Sequence, residues 1–294
     1  VLLLCVGWWI NDSVPRARSH ILVESLRTAP TEDVPAIIER LDPIRRWANP
    51  QLLDALVQAG PDSRARVNIS LALLPSDPSH GEYLRDRMLL EPPASVAVIS
   101  RALIAHTDNS QLATQLWAIL TDPAQDSNKR FRAAAALAGF ETSTPETDAK
   151  WKSSADFVTE QLISQIADNQ GQFTPWIAAF LPARDYLIEH LTKVYASADR
   201  GELDRDITAA ILGEYVGDRP QALVELLLAA TPQQHRTLFA KLEAHRTEAV
   251  NRLLFIYNTL PTPEEKYDAR SRVLERRAHA AALLFALGDE EPTR

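Results

Sequence analysis

The chain of 294 residues carries a formal net charge of −8, with 46% of its residues hydrophobic and 24% charged. That acidic balance opposes a nucleic-acid role, since affinity for a phosphate backbone comes mainly from clustered cations, and a single cysteine, Cys5, excludes an internal disulfide and a cysteine-built metal site. Nine glycines beside 19 prolines fit many helices opened by proline turns better than a glycine-turned β-sandwich, so the composition predicts an all-α chain.

Residues 1–10 are apolar throughout before they meet Asn11-Asp12. Crossing a bilayer takes about 20 apolar residues, so ten cannot span alone. The run over residues 1–11 reads as the end of a transmembrane helix, with Trp8 and Trp9 at the interfacial level that tryptophan favours; a buried first helix is the alternative. Beyond it, Ile37, Ile38, Leu41 and Ile44, then Leu52, Leu53, Leu56 and Val57, recur at helical spacing. Prolines punctuate the chain at Asn49-Pro50, Pro61, Pro92-Pro93, Asp122-Pro123, Pro182, Arg219-Pro220, Thr231-Pro232 and Pro261. At a helix start the missing N–H costs nothing. Between these marks lie roughly 14 to 16 helices, pairing into units of about 35 to 45 residues, the period of HEAT-type repeats.

Three copies of one grammar support a stack: a short turn, a basic cluster, then a helix of small and aliphatic residues. They run from Gly60-Pro61-Asp62 through Arg64 and Arg66 into Val67–Leu73, from Asp122-Pro123 through Lys129-Arg130-Phe131-Arg132 into Ala133–Ala138, and from Asp268 through Arg276-Arg277 into Ala278–Leu284. The small residues let successive helix pairs approach closely. The prediction is a right-handed solenoid of antiparallel helix pairs, a HEAT-like α-α superhelix, with repeat halves over residues 12–140 and 153–294. The polar stretch over residues 141–152, opening Glu141-Thr142-Ser143-Thr144-Pro145, is predicted to be an exposed loop between them.

Motifs for chemistry are sparse. Gly213 and Gly217 lie inside an apolar helix rather than in a strand-to-helix turn, so they suit close packing and not a nucleotide. The seven histidines lack metal-ligand spacing and read as free imidazoles on exposed faces, and the paired carboxylates read as solvated charge. No catalytic, cofactor or metal residue is assigned. Asn11-Asp12-Ser13 and Asn68-Ile69-Ser70 match a glycosylation acceptor but read as incidental. Arg45, Arg46, Arg64, Arg66, Arg130, Arg132, Arg276 and Arg277 admit two roles. Each can bond an acidic turn residue such as Asp62 or Asp122 and tie repeats together, or they can form a strip for an acidic or phosphorylated partner, because the guanidinium fork matches carboxylate and phosphate. Trp117 reads as core, and Trp47, between Arg46 and Asn49-Pro50, as the tryptophan suited to a surface contact.

The run Pro35–Leu41, the stretch Ala65–Pro75, Arg130-Phe131-Arg132-Ala133-Ala134 and the closing Arg276–Gly288 resemble one region of large bacterial membrane-anchored serine/threonine protein kinases. In that family a cytoplasmic kinase domain precedes a transmembrane helix and a HEAT-like helical region. Some members end in a domain similar to the formylglycine-generating sulfatase-modifying enzymes. The resemblance covers nearly the whole chain and implies a non-catalytic sensor module on the extracytoplasmic side of a single-pass protein. It would take a protein or peptide on its concave face and touch the membrane through its apolar first residues. None of the kinase motifs is present here, so no kinase residue carries over. A passive spacer between a membrane helix and a further domain is the alternative. A HEAT-like DNA glycosylase is the third reading, and the acidic charge opposes it.

Overall fold

The computed structural model describes residues 2–140, 144–261 and 267–288, the side chains of residues 2–13 and of Tyr267 excepted. Among the described residues the chain is all-helical, without a strand. The helices are α1 (Leu2–Thr28), α2 (Val34–Leu41), α3 (Arg45–Gln58), α4 (Arg64–Leu73), α5 (His80–Met88), α6 (Pro93–His106), α7 (Asn109–Thr121) and α8 (Ser127–Leu137). They continue as α9 (Pro145–Asp168), α10 (Phe173–Phe180), α11 (Arg184–Ala196), α12 (Glu202–Tyr215), α13 (Pro220–Leu228), α14 (Pro232–Glu243), α15 (Arg246–Asn258) and α16 (Tyr267–Ala286). Packing is densest between neighbours in sequence, as in α7 on α8, α11 on α12 and α15 on α16.

Helix starts follow the local chemistry. Pro93, Pro145, Pro220 and Pro232 each occupy the first helical position, where a ring-fixed φ is already helical. Asp108, Asp126 and Ser63 cap α7, α8 and α4 by accepting backbone N–H bonds, and Thr231 with Gln234 closes a reciprocal capping box on α14. Pro50 differs from the reading above: it lies inside α3 instead of opening a helix, and forgoes the bond to the Arg46 carbonyl that an N–H there would make.

The chain divides into two compact units. The first comprises residues up to Ser154 with Gln172–Pro182, and the second Ala155–Gly171 with the residues from Ala183 onward. The boundary therefore falls inside α9, not at a loop after residue 140. The loop expected over residues 141–152 is corrected too. Residues 141–143 lie outside the described residues, but from Pro145 the chain is helical. Thr144 and Thr147 hold its first turn reciprocally, the Thr147 N–H donating to the Thr144 hydroxyl at 3.1 Å and the Thr144 N–H to the Thr147 hydroxyl at 2.8 Å. Thr144 and Thr147, polar residues of that stretch, form a helix N-terminal box. Trp151, placed in that loop, is 6% exposed and packs edge-on against Trp117 at 5.5 Å.

In the first unit, α4 and α8 are buried nearly all round, from Val67 to Leu73 and over Ala133–Leu137. Phe131, Trp176 and Phe180 meet there as fully buried rings. In the second unit α12 plays the corresponding part, and a Cβ on its Gly213 would lie only 3.2 Å from Leu238 of α14, which agrees with a packing role for that glycine. The third copy of the repeat grammar is packed differently. In α16, Ala280, Leu283 and Leu284 are buried while Ala278 and Ala282 are exposed. The side chains of residues 1–11 lie outside the described residues. Their backbone from Leu2 onward belongs to the single helix α1, and among the described residues no helix is long and apolar enough to cross a membrane.

Candidate functional site

The nine residues singled out as partner-binding candidates separate into two groups once their partners are known. Five of them are consumed inside the fold. Arg45 donates to the Asp42 carboxylate and to the Ala72 carbonyl, both at 2.8 Å. Arg130 donates through Nε to the Leu120 carbonyl at 2.9 Å, and Arg277 through Nε to the Tyr257 carbonyl at 2.7 Å. Arg132 bonds the Glu91 carbonyl at 2.7 Å and the Asn128 carbonyl at 3.2 Å. Arg276 pairs with the Glu225 carboxylate at 2.7 Å.

Three of these acceptors share one property. Ala72, Leu120 and Tyr257 stand in the last turns of α4, α7 and α15, where carbonyls have no intrahelical donor and carry the negative end of the helix dipole. A guanidinium from a neighbouring helix supplies both the missing donor and a favourable charge. The acidic turn residues proposed as arginine partners are engaged otherwise. Asp62 accepts from Arg87 at 3.1 Å, and Asp122 accepts the Ala124 N–H at 2.9 Å. The ties are therefore of two kinds: Arg45, Arg130 and Arg277 reach helix-end carbonyls, and Arg45 also holds the turn carboxylate of Asp42.

The same device recurs in residues outside those nine candidates. Fully buried Asn68 of α4 donates to the Leu26 and Ala29 carbonyls at the end of α1, each at 2.9 Å. That burial closes the Asn68-Ile69-Ser70 sequon to any glycosyl transfer in the folded chain. The Tyr195 hydroxyl donates to the Leu226 carbonyl at 2.8 Å, and burial, with Asp206 nearby, pushes its pKa up to about 12. His279 Nδ1 lies 2.8 Å from the Leu228 carbonyl and His245 Nε2 lies 2.9 Å from that of Gly217, so each imidazole donates there. His190 meets Asp156 at 3.2 Å. These histidines serve as caps and pairs, where the spacing had suggested free imidazoles.

The remaining four candidates lie in the first unit. Arg46 is exposed with its guanidinium 5.6 Å from the ring centre of half-buried Trp47. Arg64 is exposed at the first position of α4. Half-buried Arg66 stacks 5.3 Å over Tyr83, whose hydroxyl donates to the Pro61 carbonyl at 3.0 Å. Burial holds the Tyr83 pKa above the ordinary tyrosine value despite Arg87 and Arg66 close by. No carboxylate pairs with Arg46, Arg64 or Arg66 among the described residues.

These two groups make different predictions. Arg130→Ala removes a charged donor from a half-buried carbonyl and is expected to cost about 1.5–3 kcal/mol. Arg64→Ala is expected to stay within about 0.5 kcal/mol of the parent. Urea denaturation of the two variants checks this, and equal losses would remove the distinction.

Charge clusters elsewhere in the second unit bind helices to one another. Glu225 of α13 receives Arg252 of α15 and Arg276 of α16, each at 2.7 Å. Burial alone would raise the Glu225 carboxyl, but the two guanidinium groups outweigh it and hold the pKa below the usual glutamate range. A carboxyl with a folded pKa below its unfolded value stabilises the fold above the unfolded value, about 4.3. That contribution disappears as the pH falls through the lower folded value. Glu225→Gln is therefore expected to cost stability at pH 7 and to narrow its gap to the parent below about pH 4.3. All three side chains are more than a third exposed, so the effect is about 1 kcal/mol at most. Thermal melts between pH 3 and pH 7 read it, and a gap independent of pH would contradict it. Among the described residues no group of three or more His, Cys, Asp or Glu side chains could hold a metal ion.

Comparison with known proteins adds no relative. No family model, no curated protein and no solved structure matches the chain.

Proposed function

We propose that this chain is a non-catalytic interaction module, a HEAT-like right-handed superhelix of antiparallel helix pairs in the extracytoplasmic part of a membrane-anchored bacterial serine/threonine kinase. It takes an acidic or phosphorylated protein segment on its concave face, and occupancy passes toward the kinase. The observation that carries this reading is that Arg46 with Trp47, and Arg64 with Arg66, keep guanidinium groups without a carboxylate partner, while the other five candidates are spent on internal bonds. The packing of neighbouring helices in pairs supports the superhelix. The alternative is a passive spacer between a membrane helix and a further domain, favoured by that same internal use of five arginines.

Two measurements separate the readings. Fluorescence anisotropy at physiological salt against acidic and phosphorylated peptides is expected to show binding. The triple variant Arg46→Ala, Arg64→Ala, Arg66→Ala is expected to weaken it at least about tenfold, or about 1.4 kcal/mol, with an unchanged urea midpoint. Absence of binding to any such peptide, or a triple variant that binds like the parent, leaves the spacer. Small-angle scattering tests the superhelix on its own, because a compact body of this length has a radius of gyration of ~19 Å and a solenoid exceeds it.

A further inference from the structure

We draw no further inference here: the strongest candidate, the outward apolar strip that Leu274, Ala278, Ala282 and Phe285 form along α16 in the second unit, is an unpartnered helix face, and nothing in the structure shows what covers it.

Discussion

Phe131→Ala is expected to destabilise the first unit by about 3–5 kcal/mol, the range for truncating a fully buried aromatic side chain. Phe131 is 0% exposed on α8, with the Trp176 ring 4.6 Å and the Phe180 ring 5.1 Å away, both also 0% exposed. Its removal forfeits the transfer energy of the ring. A cavity then remains between α8 and α10, because neighbouring rings held by close packing relax only partly. The tilted ring pairs add a smaller specific term, about 0.5–1.5 kcal/mol each. An exposed phenylalanine provides the contrast: Phe255 is 66% exposed and stacks with Arg252 at 5.5 Å. Phe255→Ala is expected to fall within about 0.5 kcal/mol of the parent. Urea denaturation followed by far-ultraviolet circular dichroism measures both. A loss under about 2 kcal/mol for Phe131→Ala would show that the three rings are not the packed centre of this unit.

Asn68→Ala carries the second large effect, about 2–4 kcal/mol. Three hydrogen bonds disappear together, two to the Leu26 and Ala29 carbonyls and one accepted from the Thr31 hydroxyl at 3.2 Å. The cost lies less in the bonds themselves than in buried acceptors left without donors, about 1–3 kcal/mol for each such group. Asn68→Asp separates this account from simple loss of volume. Aspartate has no N–H to offer and places a negative charge against two carbonyl oxygens, so burial raises its folded pKa above the unfolded value. With a raised carboxyl pKa the penalty grows with pH, hence Asn68→Asp should be worse than Asn68→Ala at pH 7 and recover on acidification toward pH 5. Equal stability of the aspartate variant and the parent at pH 7 would overturn the capping role.

Helix identity was largely legible in the residues. Proline at a first helical position, as at Pro93, Pro220 and Pro232, is a short-range signal, and short-range geometry satisfies such signals. The same signals misled where one residue type serves two purposes. Thr144-Pro145-Glu146-Thr147 has the composition of a turn and the spacing of a helix cap, and in the fold it opens a helix whose Trp151 packs on Trp117. Pro50 likewise resembles a start signal, yet α3 continues through it because Ala48, Leu52 and Ala55 on one face are buried.

The candidate site was legible as a set of residue types and not as a set of roles. Basic clusters at the heads of apolar helices are visible in one dimension, as are the small residues behind them. What those arginines bond is not, because several of their acceptors are backbone carbonyls at the ends of other helices, and a carbonyl has the same identity at every position. Arg130 and Arg64 look equivalent in the chain, while one reaches the Leu120 carbonyl and the other lies exposed. The all-helical character, the helix starts and the abundance of cations beside small residues were thus determined by the amino-acid sequence alone, since each depends on contacts within about one helical turn. Which faces are buried, which cations cap which helix ends, and which stay exposed were decided only by tertiary packing, because those outcomes depend on the rotation of each helix against its neighbour, and a rotation of one residue, about 100°, exchanges a buried donor for an exposed one.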